Sequence, residues 1–238
     1  MIQSASKIYN NIVSFGCMCS TALYLKKIGV RSSSCFFDWL TSDLKHNMEL
    51  VDSGFKDFFE TKYFKQEFPG YSHLITNIKY NFVYTHVFNP KETMKKQYKR
   101  VKKHVQKSID NFIKSINDNC LLIYYSRSKE ECEWIKHNES AIHDFCSRHN
   151  CDMTFVLNFD IGNNFQFKKF VIPQNNIHKP NGGGVSYPFE CTEELDSFLI
   201  SHYDENKRLK NINFKSHRSI IGALKHKLQS KKKDRLVV

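Results

Sequence analysis

The chain switches between two hydrophobic periods, and the switching predicts a mixture of helices and strands. Asn11-Ile12-Val13 is a short apolar segment that runs into Ser14-Phe15-Gly16-Cys17-Met18-Cys19. The residues from Cys19 to Ile28 then read as a helix, which Gly29 ends because glycine accepts the left-handed conformation found at helix termini. A helical stretch is expected over 43–59. Asn81-Phe82-Val83-Tyr84-Thr85-His86-Val87-Phe88 alternates and branches like a strand. Met94, Tyr98, Val101, Val105, Ile109, Phe112 and Ile116 recur at helical spacing, so a helix that starts at Asn89-Pro90 packs this stripe inward.

The second half reads as one β-α-β unit. Leu121-Leu122-Ile123-Tyr124-Tyr125 predicts a buried strand, 128–148 a helix, and Met153-Thr154-Phe155-Val156-Leu157 the next strand. A further β segment over 165–172 leads into the turn-rich stretch 173–188, with Gly182-Gly183-Gly184, before an amphipathic helix around 193–202. The glycine run has neither GxGxxG nor P-loop spacing and is read as a connecting loop.

Composition narrows the class. With 238 residues, 40% hydrophobic and 14% aromatic, the chain buries a full core as one domain or two closely packed lobes. There are eight cysteines, but the first ten residues carry no continuous apolar h-region and no small-residue cleavage pattern. Free thiols in the reducing cytoplasm are therefore expected. No stretch approaches the roughly 20 apolar residues that a membrane-spanning helix needs. A net charge of +12 draws the chain toward acidic polymers, anionic lipid or nucleic acid. That charge is concentrated over 91–107, where Lys95, Lys96, Lys99, Arg100, Lys102 and Lys103 fill the polar helix face, and over 207–235. The second run ends in Lys231-Lys232-Lys233-Asp234-Arg235 and is expected to be a frayed, solvated tail.

Candidate chemistry centres on Cys19. A strand that turns through a glycine and delivers a thiol to a helix N-terminus builds a nucleophile, because the peptide dipoles and free N–H groups there favour the thiolate and lower the thiol's pKa. The competing reading makes Cys17 and Cys19 small apolar core residues. His86 is the candidate base, although a strand histidine also suits a core or rim position. Arg127, at a strand end, either binds an acidic substrate group or pairs with a carboxylate, and pairing is expected. His143, Cys146, His149 and Cys151 cluster without a common zinc spacing, so a helix end with Cys146 facing the core is expected, and neither metal nor cofactor is assigned.

The set Ser14-Phe15-Gly16, Cys19, Ala22, Leu25, Lys27, Gly29, Arg31, Ser34 and Phe37-Asp38-Trp39-Leu40, followed by His86 and Phe88, resembles a bacterial family of papain-like cysteine peptidases. The Ser-x-Gly-x-x-Cys and Phe-Asp-Trp blocks are its specific part, and the likeness continues more loosely through Tyr98, Lys99 and Arg100 to Tyr125-Ser126-Arg127. The family pattern has proline where this chain has Phe36 and an acidic residue where it has Val87. The second change removes a carboxylate beside His86.

The resemblance implies an α+β, papain-like cysteine hydrolase fold in which the helix carrying the cysteine packs on a mixed β-sheet. The chain as a whole is read as a catalytic domain over 1–205, followed by a basic extension over 206–238 that is expected to be partly disordered at its end. By matching position, Cys19 is the nucleophile and His86 the base that takes its proton. Asp38 is the family-block candidate for orienting His86, and it equally suits tying its own loop to a helix terminus. A papain-like order favours Asn158 or Asp160 instead. The first N–H groups of the Cys19 helix are placed to stabilise an oxyanion. The implied activity is an acyl-enzyme at Cys19, passed to water by a peptidase or amidase or to another acceptor by an acyltransferase, from an acyl, peptide or glycan-linked substrate. Two other classes stay open. One is a basic module binding nucleic acid or an anionic glycan, for which no RNP, zinc-finger or helix-turn-helix signature is present. The other is a degenerate member that serves as a scaffold.

Overall fold

The computed structural model describes residues 7–66, 75–84, 87–89, 92–172, 192–208 and 211. In chain order its elements are β1 (Asn11–Ser14), α1 (Cys19–Lys27), a 3-10 turn (Phe36–Trp39), β2 (Leu40–Thr41), α2 (Leu44–Asp52), β3 (Phe64–Gln66), β4 (Ile75–Asn77), β5 (Phe82–Tyr84), α3 (Met94–Ile116), β6 (Cys120–Ser126), α4 (Lys129–His137), α5 (Glu139–Arg148), β7 (Cys151–Leu157), β8 (Lys168–Val171) and α6 (Glu193–Ser201). The fold is α+β. One sheet, in the order β1-β6-β7-β8, is parallel throughout, and a second, β2-β5-β4-β3, is antiparallel.

Every residue of β6 is buried, which is why its sequence reads as a continuous apolar run and not as an alternation: a parallel strand is covered on both faces. The predicted β-α-β unit is β6, α4, α5 and β7, with parallel register from Cys120 opposite Cys151 to Ser126 opposite Leu157. Its helix is two helices, broken at Asn138, whose side-chain amide donates to the Trp134 carbonyl at 2.8 Å and so caps α4. On α3 the inward stripe is Val101, Val105, Ile109, Phe112 and Ile116. The helix begins later than expected because buried Gln97 binds the approaching chain, accepting from the Asn89 N–H at 2.7 Å and donating to the carbonyls of Asn89 and Glu92 at 3.1 and 3.0 Å.

Two further boundaries differ from the sequence reading. The helix expected over 43–59 ends at Asp52, since Gly54, Phe55 and Asp57 all take positive φ. Of the strand expected over 81–88, the described residues pair over Phe82–Tyr84, with Asn81 in a left-handed turn that Asn tolerates, and Thr85 and His86 lie outside the described residues. The predicted loop 173–188 with its glycine run and the tail from 212 lie outside the described residues. The start of the basic extension is held on the domain: Lys207 Nζ donates to the Asn10 carbonyl at 3.2 Å and Arg208 Nε to the Ile28 carbonyl at 3.3 Å. Among the described residues no helix is long and apolar enough to cross a membrane.

Phenylalanines fill the space between the two sheets. Phe15, fully buried just after β1, packs edge-on to Phe37 at 4.8 Å and stacks with Phe112 at 5.9 Å, while Phe36 meets Phe37, Phe55 and Phe58 at 4.8, 5.2 and 5.0 Å. Offset and edge-on rings add roughly 0.5–1.5 kcal/mol per pair beyond area burial. Phe36, at the position where proline was the family expectation, is thus a core anchor.

Candidate active site

The parallel sheet sets the site's position. β1 ends at Ser14 beside Ile123, the Phe15 N–H donates to the Ile123 carbonyl at 2.9 Å, and β6 runs on for Tyr124, Tyr125 and Ser126. Ligand sites of open parallel sheets lie beyond this carboxyl edge. There the chain leaving β1 turns at Gly16, whose φ of +112° and crowded surroundings suit only glycine. A Cβ at that point would lie 2.7 Å from Ser42 Oγ and 2.8 Å from Asn47 Nδ2. Asn47 Nδ2 donates to the Phe15 carbonyl, and the Ser42 N–H to the Cys17 carbonyl at 3.2 Å, so the start of α2 and the end of β2 grip the turn from the far side.

The turn delivers Cys19 as the first residue of α1, with Met18 in the cap position and making no side-chain cap bond. Of the described cysteines, all free, Cys19 alone is partly exposed; Cys17, Cys35, Cys120, Cys132, Cys146 and Cys151 are buried. One expectation is corrected. The helix terminus was expected to lower the Cys19 pKa, but burial pushes the thiol up, with only partial relief from its own backbone N–H. Loss of water around the thiolate disfavours the charged form at this half-covered position. Cys17 is pushed much further, to about 12, by burial and then by the Glu131 carboxylate.

Asp38 is 1% exposed and held within its own loop. It pairs with Arg31 and accepts from the Cys35 N–H at 2.7 Å and Ser34 Oγ at 3.4 Å, while Trp39 Nε1 donates to Ser34 Oγ at 3.1 Å. Burial outweighs the Arg31 charge and holds the Asp38 carboxyl above its usual range. His86 lies outside the described residues. Strand β5 ends two positions before it, at Tyr84, which pairs with Leu40, two positions after Asp38. Asn158, buried at the end of β7, accepts from the Tyr125 hydroxyl at 3.3 Å and donates its N–H to the Ser126 carbonyl at 3.0 Å. Asp160 is exposed, pairs with Lys169 and accepts from the Gly162 N–H at 3.1 Å. Among the described residues none of the three carboxylate or amide candidates is hydrogen-bonded to Cys19.

Two polar groups at this edge escaped the sequence reading. His46 Nδ1 lies 2.7 Å from Asp43 Oδ2, and Asp43 also caps α2 by accepting the His46 N–H at 3.0 Å. The signal was an Asp-x-x-His at a helix start. Glu131 is a buried carboxylate that accepts from Tyr124 OH, from Ser126 Oγ at 2.8 Å and from the Leu44 N–H at 3.2 Å. Its sequence cue, Ser128 three residues earlier, predicts only a capped helix start, and Ser128 Oγ does accept the Glu131 N–H at 3.1 Å.

Burial raises the Glu131 pKa. A carboxyl with a raised folded-state pKa contributes stability below its unfolded value, and that contribution is lost as pH rises through the folded value. Glu131→Gln should therefore gain stability relative to wild type as pH is raised from about 4 to about 8. Urea midpoints of both proteins across that range measure it; a variant that loses ground with rising pH would show a carboxylate favoured by its site.

The His143, Cys146, His149 and Cys151 segment is committed elsewhere. His143 stacks on Phe167 at 4.1 Å, His149 Nε2 lies 2.8 Å from Asp52, and Cys146 and Cys151 are both buried. Among the described residues no three His, Cys, Asp or Glu side chains are grouped to hold a metal ion.

No curated protein and no solved structure matches the chain. A family model does, over residues 10–172, a span that takes in the turn at Gly16, the Phe-Asp-Trp block and the whole parallel sheet. The chain belongs to the family described as "putative papain-like cysteine peptidase", and so to the cysteine hydrolases.

Proposed function

We propose that the protein is a thiol acyl-transfer enzyme with Cys19 as nucleophile and His86 as base. The observation that carries this reading is that the one described thiol with access to solvent is also the one at the start of α1, on the carboxyl edge of the parallel sheet. His86 takes the proton from Cys19 Sγ, and the thiolate attacks the acyl carbonyl carbon. The developing oxyanion receives hydrogen bonds from the first N–H groups of α1, which no Met18 side chain occupies. His86 then returns the proton to the leaving group, and the thioester passes its acyl group to water or to a hydroxyl or amine. In this reading Asp38 is a positioning residue: it fixes the loop ahead of β2, and β2 pairs with the strand that leads to His86.

Because burial alone raises the Cys19 pKa, an activated thiolate requires a cationic partner. The test is the pH dependence of Cys19 alkylation by iodoacetamide in wild type, His86→Ala and His46→Ala, assigned by peptide fragmentation. In wild type, modification should stay fast down to about pH 6, and His86→Ala should slow it about 10-fold or more at pH 7. Loss in His46→Ala instead would move the base to the Asp43-oriented imidazole. Alkylation as slow as at the buried cysteines would overturn the enzyme reading.

A further inference from the structure

Among the described residues the guanidinium of Arg127 has no carboxylate to answer it. The sequence reading expected it to pair, yet among the described residues it is exposed and makes neither a hydrogen bond nor an ion pair. The nearby acids are engaged elsewhere: Glu130 with Ser128, and Glu131 with Tyr124 and Ser126. Register places it. Ser14 lies opposite Ile123, so the three further residues of β6 carry the chain past the end of β1, and Arg127 follows them on the side of the turn, where its charge acts on the Cys17 thiol two residues before Cys19.

Two other features at this edge favour an anion. The N-terminus of the nine-residue helix α1 is left uncapped by Met18 and presents free N–H donors. Next to Ser126, at the end of β7, the Asn158 side-chain nitrogen is buried without a partner, in a residue only 6% exposed. An orphaned buried donor is costly, and an acceptor brought by a ligand would answer it.

We infer that Arg127 selects acyl donors carrying a carboxylate, held against its guanidinium beside the Cys19 thiol. The inference rests on Cys19 being the nucleophile. A planar guanidinium meets a carboxylate through two parallel N–H bonds, which gives direction as well as attraction, so the donor's acidic group would fix how its carbonyl faces the thiol. The chain's overall positive charge steers anions to the surface but does not orient them.

Two alkylating reagents separate the claims, since iodoacetate and iodoacetamide react by the same displacement of iodide by the thiolate and differ in charge. Their rate ratio at Cys19 cancels any change in thiolate fraction caused by removing a nearby cation. Arg127→Gln should lower the iodoacetate-to-iodoacetamide ratio about 10-fold at low salt. Lys107→Gln, which removes an exposed positive charge on α3, should leave the ratio within about twofold. Fast iodoacetamide labelling with an unchanged ratio in Arg127→Gln would overturn the anion selectivity and leave the nucleophile standing. An equal fall in Lys107→Gln would overturn it too, by showing a general charge effect. Slow labelling of wild type by both reagents would bring down the nucleophile reading, and the selectivity with it.

Discussion

Asp38→Ala should lower the unfolding free energy by about 3–5 kcal/mol, the usual cost of removing one partner from a buried ion pair. Arg31, 11% exposed at its side chain, would be left with its charge and no counter-charge, and its Nε already lacks a partner. The Cys35 N–H would lose its 2.7 Å acceptor as well, so the 3-10 turn that carries Phe36 and Phe37 into the aromatic core would lose its cap. Urea denaturation at neutral pH measures the loss. A change below about 1 kcal/mol would mean that water reaches the pair. Replacing both residues together, Arg31→Met with Asp38→Leu, should recover much of the loss, because the stranded charge is the costly part.

Gly16→Ala should cost about 2–5 kcal/mol, combining roughly 1–2 kcal/mol for a positive φ in a residue with a Cβ and 1–3 kcal/mol for overpacking. The added carbon would push on Ser42 Oγ and Asn47 Nδ2, and Asn47 is the donor that holds the Phe15 carbonyl. Relief requires the turn to move away from β2 and α2, which displaces Cys17 and the first residue of α1 with it. The variant should therefore lose Cys19 alkylation rate even in the fraction that remains folded. Melting curves read beside labelling of the folded protein separate the two effects, and a stable variant with wild-type labelling would show that the turn has room the packing denies.

Local spacing was legible wherever one stretch of chain supplies both cause and effect. The stripe on α3 from Val101 to Ile116, the β6-to-β7 unit, and the strand, glycine and helix that present Cys19 all follow from side-chain periodicity and from the freedom of one glycine. The family blocks were legible too, because they lie in contiguous residues whose spacing reflects a local turn. Ends of elements were less so: the helix expected to reach position 59 stops at Asp52, and just beyond it positive φ at Gly54, Phe55 and Asp57 outweighs side-chain propensity.

Charge and burial belong to the folded molecule. Nothing in the Phe-Asp-Trp spacing says that Arg31 returns to Asp38, nor that Glu131 accepts from the hydroxyls of Tyr124 and Ser126. The direction of the Cys19 pKa depends on how much water the packed sheet leaves around the thiol, a sum over residues far apart in sequence, and there burial raises it. Arg127 makes the same point in reverse. Its identity is written in the chain, but its lack of a partner among the described residues arises only when parallel register brings the end of β6 past the end of β1 and Glu131 is taken up by Tyr124 and Ser126.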